Sequence, residues 1–71
     1  MIEITGYKTG KKYYLDESRI DSMQPEFNKK RNAAFTRIFM DRHFNGAAKV
    51  YESSETPEEI LSQIEMLEYI Q

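Results

Sequence analysis

Ala33-Ala34-Phe35-Thr36-Arg37-Ile38-Phe39-Met40-Asp41 is the stretch on which the fold turns. Read with a period of two, Ala34, Thr36, Ile38 and Met40 share one face, and Phe35, Arg37 and Phe39 share the other. Both faces carry large apolar groups. Such a strand is either central in a two-layer fold or turned toward a partner chain. The same region also places apolar residues three and four apart, so residues 33–43 admit a helical reading as well. The strand reading is preferred, as the longest strand of the chain.

Working toward the N-terminus, Ile2 and Ile4 alternate with Glu3 and Thr5, which predicts a half-buried strand over residues 2–7. Lys8-Thr9-Gly10 reads as a tight turn, with Gly10 able to supply a positive φ. Lys11–Leu15 is then a second strand, with Tyr13 and Leu15 on one face and Lys12 and Tyr14 on the other. The two form an antiparallel hairpin. Asp16–Arg19 is polar and suits a turn or a single helical turn. Ile20 and Met23 are apolar anchors three apart, which fits a kinked or bulged segment. Pro25 lacks a backbone donor and restricts this segment to a sheet edge. Asn28–Asn32 is a basic loop.

Toward the C-terminus, Asn45-Gly46 carries the signature of a type I′ turn. Ala47–Glu52 is the return strand, and Ser53–Glu55 end it. Thr56-Pro57-Glu58-Glu59 then has the form of a capping box: the Thr56 hydroxyl faces the Glu59 amide, and the Glu59 carboxylate faces the Thr56 amide. Pro57 stands at the first helical position, where its missing donor costs nothing. Glu58 and Glu59 complement the positive end of the helix dipole. Ile60, Leu61, Ile64 and Leu67, with Ile70 at the edge, form the stripe that would cover the sheet. Met66 and Tyr69 lie on the opposite side and are candidate interface residues.

These elements predict an α+β fold: a small antiparallel sheet of four to five short strands with one C-terminal helix at 57–70. The 71 residues make a single domain, 1–71. A domain this small buries only about 60% of the surface its unfolded chain exposes. It has no cysteine for a disulfide and one histidine, so a structural metal is not expected. The remaining common support is a homo-oligomer. No apolar run spans a bilayer and the N-terminus alternates too strictly for a signal peptide, so the expectation is a cytoplasmic protein without membrane contact. The net charge of −2 hides a dipole. Residues 1–51 hold ten bases against six acids, whereas residues 52–71 hold six acids and no base.

The sequence offers little catalytic chemistry. His43 stands near Asp41 and Asn45, but no motif supplies a nucleophile beside it. The three glycines sit at turns or a strand end and form no phosphate loop, and no cofactor is implied. Binding is the better expectation. Arg37 and Arg42, in or near a strand with Phe35 and Phe39, offer guanidinium forks beside ring platforms, and Tyr13 adds another ring. That combination suits an anionic nucleotide-type ligand held between protomers. Lys11-Lys12-Tyr13-Tyr14 and Lys29-Lys30-Arg31 also raise single-stranded nucleic acid. Against it stand the negative net charge and an acidic helix. A protein–protein module working through Met66 and Tyr69 is the other alternative.

The order Met1-Ile2, Ile4-Thr5, Leu15, Ile20, Thr36, Ile38, Met40, Gly46, Val50, Glu52-Ser53 and Glu58-Glu59-Ile60 resembles that of small FlbD-type proteins associated with bacterial motility. The resemblance covers most of the chain and departs from the pattern at Gln24–Asn32 and Ser54–Pro57. It implies strands followed by a helix and a small binding or regulatory module without catalytic residues. At the level of class alone, the chain is also similar to compact oligomeric accessory proteins of bacteriophages, some of which sequester cyclic nucleotide signals. The similarity lies in size, expected oligomerisation and the supply of arginines and rings.

Overall fold

The computed structural model describes residues 1–41 and 49–70. Five strands come first: β1 (Ile2–Thr5), β2 (Lys12–Leu15), β3 (Ile20–Asn28), β4 (Ala33–Met40) and β5 (Lys49–Ser53). Helix α1 (Pro57–Ile70) follows. The fold is thus α+β as expected, but its strands fall into two antiparallel sheets, β1-β2 and β3-β4-β5. Residues 33–40 are strand, not helix.

The two sheets are stitched where β1 runs on toward its turn. Gly6 bridges Ser53, the Ser54 amide donates to the Thr5 carbonyl at 2.8 Å, and the Tyr7 amide donates to the Glu52 carbonyl at 2.9 Å. The strand expected over residues 2–7 therefore changes partner at Gly6, leaving β2 for β5. Gly6 cannot be replaced cheaply there. A Cβ on it would lie 2.6 Å from Thr9 Oγ1 and 2.9 Å from Tyr13 Cε2. Gly10 takes φ 72° in the turn, as its position predicts.

Asp16 Oδ1 accepts from the Ser18 hydroxyl (2.7 Å) and amide (3.0 Å), which closes a short 3-10 turn at Glu17–Arg19. The same two bonds hold the Asp16 carboxyl below its ordinary value. β3 then runs nine residues and is longer than the eight of β4, contrary to the expectation. It survives Pro25 because, among the described residues, it pairs on one side only. A proline is tolerated on an edge strand when its donor-less nitrogen faces away from the neighbour. The irregularity expected near Ile20 and Met23 is a register shift between Ile20 and Ser22.

The inward face of β4 is the one read from the sequence. Thr36, Ile38 and Met40 are buried, and Ile38 and Met40 join Ile2, Ile4, Leu15 and Ile60 in the core. Each such burial contributes about 1.5–3 kcal/mol. Helix α1 packs on β1 and β3. Its cap forms as expected: the Glu59 amide donates to Thr56 Oγ1 at 3.1 Å, and Glu59 Oε1 accepts from the Thr56 amide at 3.4 Å. Its buried stripe needs correction. Ile60, Ile64 and Leu67 face the core, but Leu61 is 47% exposed. At 100° per residue Leu61 falls a quarter-turn off the axis of the other three. The opposite flank of the stripe is taken by Gln63, whose amide group clamps the β1 backbone. Its Nε2 donates to the Glu3 carbonyl at 2.7 Å, and its Oε1 accepts from the Glu3 amide at 3.0 Å.

Candidate ligand groove

The outward face of β4 was expected to leave apolar surface for a partner. The chain covers part of it itself. Tyr7, carried by the run from β1 to β5, stacks on Phe35 with ring centroids 4.5 Å apart and planes 10° from parallel. Phe35 is only 8% exposed as a result. Nothing in the period-two pattern of residues 2–7 announces that Tyr7 crosses to this face. The signal lay in Gly6, the residue at which the strand changes partner.

Beside this ring pair opens a groove of about 630 Å³. It lies where the β1–β2 turn splays away from β5. Tyr13, Arg37 and Phe39 all line it, so three of the five ligand residues expected from sequence meet in one place. Tyr7, Lys8 and Tyr51 join them, and sequence reasoning missed all three. Phe35 lies behind Tyr7 and does not line this groove. Arg42, like His43 and the Asn45-Gly46 turn, lies outside the described residues. Met66 and Tyr69 are far out on α1, 61% and 90% exposed.

Register sets the rings and draws them from both faces: Tyr51 pairs with Ile38 and Tyr13 with Ile4 on the core side, whereas Phe39 and Arg37 lie on the outward face of β4. Phe39 pairs with Val50 across the β4–β5 ladder, and Arg37 pairs with Glu52. Tyr51 and Tyr13 meet edge-on from two different sheets, 6.1 Å apart and tilted by 57°. The Tyr7 hydroxyl is buried with no hydrogen-bond partner among the described residues. An orphaned polar atom of this kind costs about 1–3 kcal/mol.

The charges are held loosely. Glu52 faces Arg37 at 3.7 Å and Lys8 at 3.9 Å, and Glu26 faces Arg37 at 3.6 Å. All three separations exceed the ~3.2 Å reach of a good N–H···O hydrogen bond. The ion pairs steer Arg37 without using up its donors. A planar fork beside rings is the arrangement that takes a phosphate or carboxylate in two parallel bonds. Lys11 and Lys12 do not line the groove. Lys12 instead donates to Thr5 Oγ1 at 2.7 Å.

No group of three or more His, Cys, Asp or Glu side chains able to hold a metal converges among the described residues. No described helix is long and apolar enough to cross a membrane. Compared with protein-family models, curated proteins and solved structures, the chain finds no match.

Proposed function

We propose that the protein acts by binding, without catalysis, and that its ligand is an anionic nucleotide-type molecule held in the groove beside Tyr7. One observation carries this reading: Tyr13, Tyr51 and Phe39 bring rings from both sheets against Lys8 and Arg37 in a single hollow. Rings accept a flat base, and the two cations accept its phosphate. The protein would serve as a sequestering accessory protein of a prokaryotic or phage cytoplasm. The groove is open on one side, and a second copy would close it into the site between protomers that the small core also favours.

The test is a titration with a mononucleotide, dTMP, followed by amide chemical shifts and by melting temperature. A ligand that binds only the folded state raises the melting temperature. Shifts gathered at Lys8, Tyr13, Arg37, Phe39 and Tyr51, and lost in Arg37→Ala, support the reading. No shift at millimolar dTMP sinks it. Light scattering decides the second copy: a monomer with and without ligand removes it.

A second reading rests on a different surface. Leu61, Met66 and Tyr69 expose apolar area along the outside of α1, which suits a protein–protein regulatory module of the FlbD type. Glutamate at Met66 and Tyr69 would then abolish association without unfolding the chain.

A further inference from the structure

The groove does not end at Tyr7. A second hollow of about 390 Å³ lies on the far side, and Tyr7, Lys8, Arg37 and Glu52 line both. The second hollow is lined further by Glu26, Asn28, Phe35, Lys29 and Lys30. Phe27, 58% exposed at the end of β3, pairs with Ala34, so its side chain belongs to the other face of the sheet and only the edge of the residue borders this hollow. The basic turn that follows is built rather than loose. Asn28 Oδ1 accepts from the Lys30 amide at 3.0 Å and the Arg31 amide at 3.3 Å, and Asn32 takes φ 50°. Arg31 is thereby laid over the Tyr7 ring, 5.6 Å from its centroid.

The two hollows together make a continuous track with rings at the Tyr13 end and cations along its length. Lys8, Lys29, Lys30, Arg31 and Arg37 outnumber Glu26 and Glu52, in a molecule whose net charge is −2. The positive charge is therefore concentrated where the rings are. A single nucleotide seated in the first hollow leaves Lys29 and Lys30 unused. We infer that the ligand is a phosphodiester-linked strand of two or more nucleotides, with one base against Tyr13 and Tyr51 and the linking phosphates passing Arg37 and Lys8 toward Lys29 and Lys30. This rests on the reading of the first hollow as a nucleotide site. It extends that site to single-stranded nucleic acid, whose recognition combines stacking platforms with a basic groove.

The experiment is a length series. Fluorescence anisotropy competition measures dTMP and oligothymidylates of two, four, six and eight nucleotides against wild type and the double variant Lys29→Glu/Lys30→Glu. Both lysines are exposed in a turn, so the variant is expected to fold, and its melting temperature checks this. Affinity is expected to rise at least tenfold from dTMP to the tetramer and then level off. The double variant is expected to erase that gain while binding dTMP as wild type does. It should also reduce the slope of log affinity against log salt by about 1.4, for two phosphate contacts on a single strand. A groove that binds dTMP with affinity flat in length, or a length gain untouched by the double variant, overturns the inference and leaves the first site standing. Failure to bind dTMP and every oligomer removes both.

Discussion

Two carboxylates three residues apart, at the end of β5, have been put to opposite uses. Glu55 sits at the junction of the two sheets and is fully committed. Oε1 accepts from the Thr5 amide at 2.7 Å and the Ser53 hydroxyl at 2.6 Å, and Oε2 accepts from the Thr5 hydroxyl at 2.8 Å. Its own carbonyl accepts from the buried Thr36 hydroxyl at 2.6 Å. Glu52 sits in the groove and touches its cations only at 3.7 and 3.9 Å. The first carboxylate satisfies three donors at the half-buried junction of the sheets. The second holds a place among cations that an incoming anion could take. Bond length and bond number separate a structural acid from one poised to yield.

The comparison breaks most sharply at Glu55. Glu55→Ala should cost about 3 kcal/mol by urea denaturation, because three donors lose a charged acceptor at once. A loss below about 0.5 kcal/mol would show that the junction does not depend on it. Next is Gly6→Ala, on the strand crossing beside that junction. Its methyl group must displace Thr9 or the Tyr13 ring, at about 1–3 kcal/mol. It should weaken ligand binding more than a surface change of equal cost, since Tyr13 lines the groove; unchanged affinity would detach the crossing from the site.

A third prediction uses acid. Burial pushes Glu55 up, but the hydrogen bonds from Ser53 and from the Thr5 amide and hydroxyl outweigh it, and the carboxyl lies below its ordinary value of 4.5. A depressed folded value means stability that is fully present above pH 4.5 and is lost as pH falls through the folded value. Glu55→Gln should therefore flatten the stability–pH curve below 4.5. Parallel curves for Glu55→Gln and wild type would refute the assignment. The smallest effect on stability is that of Glu52→Gln, within about 0.5 kcal/mol as for other exposed pairs. Yet it should raise dTMP affinity about fivefold, the equivalent of roughly 1 kcal/mol of competition removed. Weaker binding would mean that Glu52 orients Arg37 for the ligand instead of competing with it.

What the sequence reveals here follows the range of the interaction. The α1 cap is legible because Thr56 and Glu59 meet within one turn. The inward face of β4 is legible because alternation needs only neighbours. Tyr13, Arg37 and Phe39 could be named as ligand residues because rings and a guanidinium suggest their own chemistry. The partner switch at Gly6 could not be read, since Ser53 lies 47 positions along the chain. With it went Tyr7, Lys8 and Tyr51, which reach the groove only through that crossing. Leu61 was misplaced for a different reason: a stripe of four apolar residues is wider than the sheet it covers, and Gln63 holds the other flank by bonding to Glu3.

Pro25 has a consequence for how copies of this protein could meet. Among the described residues β3 and β2 are the two ends of the stitched sheets, each paired with a neighbouring strand on one side. A long strand at the end of a sheet is a template on which further strands can add. Pro25 removes a donor midway along that template, and β2 offers only four residues, beginning with Lys12. Strand-by-strand polymerisation is blunted at both ends. Contact between copies is then favoured face to face, through the groove side or the outer side of α1.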